Sequence, residues 1–510
     1  MQAHFFQKFF LLIMFSLSAI RSSWANENFK FHLASEPKSL DPAQVSMGDS
    51  VGYLYQNIYQ GLYVYHQKKL IPMGAKACVH TPLALTCELN SKFKWSDGKV
   101  VEASEYVIAF QHLVDFKSKN PIIRILKNLK NASRVFSGEV PTNELGVIAV
   151  SKTKLQFRFD KEDPEFLYKL TSPLVAPIRS ANFVNEEKAA ELLVTGPYKI
   201  ESWTKGKRLL LTENPQYLFF QKDKPKVEIF FIDDDQTALL LYEDHKLNFL
   251  KTLPTALIPE YKKRPDFLQI PMARFDYIGF SPELKNQPLL REALALSLDY
   301  SELKKMFSAL GVPGCSSLPD NYLNESVCVS YDLEKAKKLF SGLSQKIKEK
   351  TYHLAFSSFD RDDVLRGMQW AAEQWKIHLG LKIEIEKLES GVFTARLKES
   401  VPDIFRRSVV VDRPTCLSAI ENFGANGSES FLKLDSPIIE NVIAKMTTHS
   451  SPMLCTEALR ELLSQFDVIG LGKIHFTMLM SPRFTGWEIN ELNGLDLSRL
   501  KYNPNLPDTP

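Results

Sequence analysis

The sequence predicts an α/β protein folded in more than one lobe, and three observations lead there. Strand-like and helix-like stretches alternate along the chain to its C-terminus, the pattern of an α/β architecture. With 510 residues the chain is longer than a single hydrophobic core ordinarily serves. Hydrophobic content of 44% and charged content of 24% are those of a folded globular protein. No low-complexity tract or fixed-period repeat breaks this up, so neither a disordered segment nor a solenoid is expected.

Phe29-Lys30-Phe31-His32-Leu33 alternates apolar and polar side chains as a half-buried strand does, and Pro37 and Pro42 forbid its continuation. Leu54 to Leu62 follows, with Gly61 placed to stop a helix. Phe93 and Trp95 share one side of a strand, Asp97-Gly98 signals a tight turn, and Ser104 is placed to cap a helix with Val107, Phe110 and Val114 on one face. Leu155 to Phe159 alternates again. Val194 to Ile200 is a turn feeding a strand; beyond Trp203 and a Lys-Gly-Lys tip, Arg208 to Thr212 returns as its partner. Phe275 to Phe280 reads as a strand, and Pro288 opens a helix with Leu290, Ala293, Leu294, Ser297 and Leu298 on one face.

Residues 1–25 read as a cleavable signal peptide. Lys8 precedes the apolar run Phe9 to Phe15, and Ser23-Trp24-Ala25 has the small-x-small spacing a signal peptidase accepts. A membrane anchor is the competing reading, but the run is shorter than the roughly 20 apolar residues a span needs. No cysteine follows the run for lipid attachment, and no later segment is long and apolar enough to span. Removing the signal takes away Lys8 and Arg21 and no acid, which leaves 61 basic against 60 acidic side chains. A near-neutral chain without basic stretches gives no electrostatic reason to bind nucleic acid.

Export means an oxidising compartment, which makes disulfides the expectation for Cys78, Cys87, Cys315, Cys328, Cys416 and Cys455. Six cysteines allow fifteen pairings. Pairing nearest neighbours gives 78–87, 315–328 and 416–455, and the first has local support because Cys78 and Cys87 flank the turn-like His80-Thr81-Pro82. Zinc is the alternative, but no C-x-x-C spacing supports it.

Six segments, in order, carry a resemblance: EPKSLDP (36–42), NIYQGLYVY (57–65), WSDGKVVEASEYVIAFQHL (95–113), VTGPYKIESWTKGKRLLLTENPQY (194–217), DYIGFSP (276–282) and PLLREALALSLDYSELKK (288–305). Together they resemble the peptide- and nickel-binding family of extracellular solute-binding proteins, partners of ATP-driven importers. The resemblance implies an α/β fold of periplasmic-binding-protein type, with two hinged lobes and an additional inserted domain. Lobe I would comprise 26–55, 180–273 and 484–510, the inserted domain 56–179, and lobe II 274–483. It further implies a monomeric periplasmic receptor without cofactor or catalytic residues. Its ligand, a peptide or other small molecule, would sit between the lobes and pass to the membrane permease of an ABC importer.

Family members that bind peptides carry a segment resembling W-x-x-D-Y, followed by a proline, whose Asp faces the peptide amine. Aligned on Pro414, this chain has Arg407 at the tryptophan position and Val410 at the aspartate position. Asp412 points the same way as Val410 in a strand and is placed to serve instead; a turn-capping role beside Pro414 is the alternative. Arg406 and Arg407 offer a fork for a carboxylate or phosphate, or are simply solvated. Phe405, Arg406, Arg407, Val410 and Asp412 are therefore the expected ligand-binding residues. Two further departures are the cysteine-flanked hairpin at Cys78 and Lys246-Leu247-Asn248-Phe249 where Gly-Glu-Val-Asp is common; both count against ordinary peptide specificity.

Asp233-Asp234-Asp235 alternates faces if it is a strand, so it does not converge on one cation and is read as a solvated strand end. The ten histidines, among them His245, His353, His378 and His475, show no ligand spacing, and no G-x-S-x-G elbow or phosphate loop is present. A binding protein rather than an enzyme is expected. The alternative within the same fold is a periplasmic sensory or chaperone-like protein that imports nothing, and a hydrolase with a dispersed triad is a distant third.

Overall fold

The computed structural model describes residues 27–44, 51–115, 117–118, 123–179, 186–306, 310–313, 318, 322–357, 362–447, 451–490 and 492–507. The expected signal peptide and Cys315 lie outside the described residues.

The first of three main sheets has eight strands. Phe29–Leu33 is central, parallel to Val227–Phe231 and to Phe249–Leu250. The hairpin Tyr198–Thr204 and Arg208–Glu213 extends one side, turning at Gly206 with φ +67°. Gly472–Met480 and Phe267–Pro271 extend the other, and Leu310–Pro313 pairs with the start of Gly472–Met480. The second sheet has five strands in the order Lys382–Leu388, Thr351–Ser357, Ile404–Val410, Arg274–Phe280, Val468–Gly470. The third is antiparallel: Ala75–Thr81, Ala84–Leu89, Lys154–Arg158, Val147–Ser151.

Several local expectations hold for the reasons given. Gly98 takes φ +88° in the turn after Trp95, a left-handed position that suits glycine. Pro288–Leu296 is a helix that buries Leu290, Ala293 and Leu294. The helix at 103 starts one residue before Ser104, however, so Ser104 is not its cap. Glu102 is the cap and forms a capping box with Glu105, whose carboxylate accepts the Glu102 N–H at 2.8 Å, the Trp95 indole N–H at 2.9 Å and the Arg179 Nε–H at 2.8 Å. Asp234 is also a cap. It accepts the Thr237 N–H at 2.7 Å and opens the helix Asp235–Glu243, so the aspartate run marks a helix start rather than a strand end.

Disulfides join Cys78 to Cys87, which face each other across the hairpin, and Cys416 to Cys455. Cys328 is disulfide-bonded as well.

The apolar clusters divide the molecule in two. Phe29, Phe31 and Leu211 of the first sheet share one core with Leu85, Phe110 and Phe157 around the third. The second sheet has its own two layers, because alternate residues of each strand face opposite sides. Phe405 and Phe275 pack with Leu459 and Leu462, while Ile404 and Ile278 pack with Leu294, Met368 and Trp375. The chain passes from the first sheet to the second through Met272-Ala273 and returns through Leu471. These crossovers lie side by side, since Phe267–Pro271 and Gly472–Met480 are antiparallel neighbours in one sheet and Arg274–Phe280 and Val468–Gly470 in the other. The second sheet therefore ends at Gly470, not near 483, and Gly472–Met480 belongs to the first. At the other expected boundary, 55/56, the helix Gly52–Ile58 runs straight across.

Candidate functional site

The strand Ile404–Val410 runs toward the crossovers. Val410 pairs with Arg274, and the Val411 N–H donates to the Ala273 carbonyl at 3.0 Å. Its last residues and the loop that follows thus stand where the second sheet meets the rest of the molecule, beyond the end of a strand in an α/β sheet, where such folds ordinarily place ligands.

The residues expected there from sequence are not all at the seam. Phe405 is fully buried, its ring centroid 6.2 Å from Tyr277 and 5.7 Å from Phe431. Arg406 is buried against Asp276, which Arg274 also holds at 2.5 and 2.6 Å. Arg407 Nε donates to Glu429 at 2.7 Å; the Tyr277 hydroxyl donates to the same carboxylate, and Phe431 lies under the guanidinium at 5.5 Å. Both arginines are thus committed to carboxylates of their own sheet and its helices. Val410, 69% exposed, and Asp412 are at the strand end. Asp412 accepts from Ser418 Oγ at 2.8 Å and from Arg413 at 2.7 Å, and its own N–H donates to Ser418 Oγ at 3.0 Å. That is the turn-capping role, with an ion pair added. Asn248, in the second departure, is buried and accepts the Lys30 N–H at 2.8 Å, a structural task.

The residue that dominates the seam is Arg413, which sequence reading passed over. It is 2% exposed and reaches three carboxylates: Glu165 at 2.5 Å, Asp412 at 2.7 Å and Glu421 at 2.9 Å. Burial disfavours its charge, but Glu421, Asp412 and Glu165 outweigh that and hold the guanidinium protonated above the ordinary arginine range. Glu165 belongs to the other body, in the segment entering the short helix Phe166–Lys169, and it also accepts from Thr415 Oγ1 at 2.9 Å. Beside it Lys169 donates to Asp163 at 2.7 Å, both buried. Burial and then the charge of Arg413 lower the Lys169 pKa, against the pull of Asp163. The signal for Arg413 was weak, a charged residue before a proline, and Glu165 closes the acidic stretch Asp160-Lys161-Glu162-Asp163-Pro164-Glu165, which reads as solvated loop. The Cys416–Cys455 disulfide tethers the seam loop to the buried face of the helix Pro452–Ser464.

Among the described residues no group of three His, Cys, Asp or Glu is placed to hold a metal ion, and no helix is long and apolar enough to cross a membrane.

Two α/β bodies joined by paired crossovers, with charged side chains meeting at their seam, are the design of a solute-binding protein. The chain belongs to the bacterial extracellular solute-binding proteins, family 5, whose model for the middle region matches residues 80–431. The chain is 24% identical over 490 residues to the oligopeptide-binding protein OppA of Bacillus subtilis, covering 89% of this chain and 88% of that one. It is 22% identical over 498 residues to the periplasmic murein peptide-binding protein MppA of Escherichia coli, with 92% of each chain covered. The unliganded open form of the murein tripeptide-binding protein MppA superposes with a TM-score of 0.78 at 20% identity, over 94% of this chain and 98% of that one. The α/β fold expected from sequence is the fold observed, and the family is that of binding proteins.

Proposed function

We propose that this protein is an exported, monomeric receptor that captures a peptide or peptide-like solute between its two bodies and passes it to the permease of an ABC importer. The observation that carries this reading is the seam itself: a buried arginine–carboxylate network built from both sides of a two-crossover joint. A peptide is a zwitterion, and enclosing it requires fixed charges of both signs in a place that can open. The relatives' names, oligopeptide-binding and murein peptide-binding, point to the same ligand class. Residues 1–25 would direct export to the periplasm, where the disulfides are stable. Within this reading the division is lobe I with an inserted domain around the third sheet, and lobe II around the second. Val410 and Asp412 would wall the ligand site, with Phe405, Arg406 and Arg407 supporting that wall from inside lobe II.

Native mass spectrometry of protein from the periplasm, followed by thermal shifts with short peptides, tests the assignment. A peptide at a hundredfold its Kd adds about 2.7 kcal/mol to stability. Wild type should respond, and Asp412→Ala should respond less. A response to sugars or amino acids with none to peptides sinks the peptide assignment, and no response to any solute sinks transport.

A further inference from the structure

The seam cluster is unequal in charge. Four carboxylates, Asp163, Glu165, Asp412 and Glu421, face two cations, Lys169 and Arg413. Two of these acids reach water: the Asp412 and Glu421 side chains are 40% and 28% exposed. Glu165 does not, being 4% exposed. Both contacts that satisfy it, from Arg413 and from Thr415, land on the same oxygen, Oε2. Its other oxygen, Oε1, is buried without a hydrogen-bond partner. A buried carboxylate oxygen left unpaired costs about 1–3 kcal/mol or more, so a chain that keeps one at a joint between bodies has a use for it. The partners Arg413 and Thr415 sit on the second-sheet body, whereas Glu165 sits on the other. If the bodies part, as the receptor reading requires, Glu165 would be uncovered to solute and buried again on closure.

We propose that Glu165 is the seat for a primary ammonium group of the ligand, received on Oε1 while Oε2 stays with Arg413 and Thr415. This rests on the receptor reading above and names the ligand's recognised group. The surplus of acid makes a cation the complementary charge, and an ammonium has three donors to offer an acceptor-only site. Arg413 then keeps Glu165 ionised and aligned, so it is a positioning residue for this contact. Either the α-amino group of a peptide or a lysine side chain carries the required chemistry.

Calorimetric titration of three probes distinguishes the outcomes: trialanine, N-acetyl-trialanine, and N-acetyl-Ala-Lys-Ala. In the wild type a probe with a free ammonium should bind about tenfold or more tighter than N-acetyl-trialanine, the worth of one charge-assisted hydrogen bond. Whichever ammonium probe is preferred identifies the source. In Glu165→Gln the preference should shrink to within about threefold while N-acetyl-trialanine binds as before. Asp412→Asn, at the exposed rim of the cluster, should reduce the preference by a smaller factor, and it decides the matter if Glu165→Gln melts below the assay temperature. A preference undiminished in both variants, or no preference in the wild type, overturns the seat at Glu165 and leaves the peptide receptor standing. Failure of the wild type to bind any of the three overturns both.

Discussion

The second sheet and the seam each bury an arginine among carboxylates, but they close the circuit differently. Arg406 meets Asp276 on the neighbouring strand, and Arg407 meets Glu429 beside Tyr277, so these pairs lie within one body. Arg413 takes Asp412 and Glu421 from its own body and Glu165 from the other, 248 residues away in sequence. The first arrangement is formed once, when the body folds. The second spans the joint, so under the proposed receptor reading it would be remade each time the bodies meet. Similar chemistry would then serve permanence in one place and reversibility in the other, and the difference lies in which side of the crossovers the acid stands on.

The largest effect that bears on this contrast is expected from Asp276→Ala. It removes the fully buried carboxylate that Arg274 and the buried Arg406 share. Breaking a buried pair by removing one member costs about 3–5 kcal/mol. Equilibrium urea denaturation measures it. A loss under about 1 kcal/mol, the worth of an exposed ion pair, would mean these charges are hydrated and the contrast fails.

Arg413→Met should cost less, about 1–3 kcal/mol, because Asp412 and Glu421 are partly exposed and Glu165 gains water when the bodies part. Its distinguishing effect is on shape: small-angle scattering of the ligand-free variant should give a larger radius of gyration than the wild type. Asp276→Ala at temperatures where it is folded should not. If Arg413→Met destabilises as severely as Asp276→Ala and leaves the envelope unchanged, the seam is part of the fold rather than a joint.

The same contrast explains what the sequence revealed. Strand and helix periodicities, the Asp97-Gly98 turn and the Pro288 helix are local, and six segments in order were enough to place the family. The cross-body pairing had no local sign. Arg413 and Glu165 are adjacent only because two crossovers bring lobe-distant loops together, and neither period nor spacing encodes that. Attention to a family motif fixed on Arg406 and Arg407, which alternation along Ile404–Val410 turns toward the two layers of the second body. The disulfides were more legible: a hairpin register brings Cys78 and Cys87 face to face, and short sequence separations favoured the pairs seen. The membership of Gly472–Met480 in the first sheet was not, since it looks like any other apolar strand until its neighbours are known.

The smallest effect is a titration, and it extends the contrast to a pair that lies within one body but can lose its charge. His112, on the helix Ala103–Val114, lies 2.9 Å from both oxygens of Asp41, which follows the first strand. The hydrogen bond to Asp41 raises the His112 pKa above 6.5; burial opposes it, and the charges of Asp41 and Asp115 add to it. A histidine whose folded value exceeds its unfolded one contributes stability that is fully present below the unfolded pKa and is lost as pH rises through the folded value. Melting temperatures from about pH 5.5 to 8.5 should therefore show the wild type above His112→Gln at the acid end, with the gap closing as pH rises. Ligand discrimination at Glu165 should not follow that curve, because Asp41 and His112 lie beside Leu40, Ala43, Phe110 and Leu113 of the first body's core and the seam contacts do not include them. A gap that widened with pH would place the proton on the unfolded chain instead and reverse the assignment of His112. A preference for ammonium ligands that faded in step with the His112 titration would show the first body and the seam to be one electrostatic unit, and the division between permanent and reversible pairs would have to be redrawn.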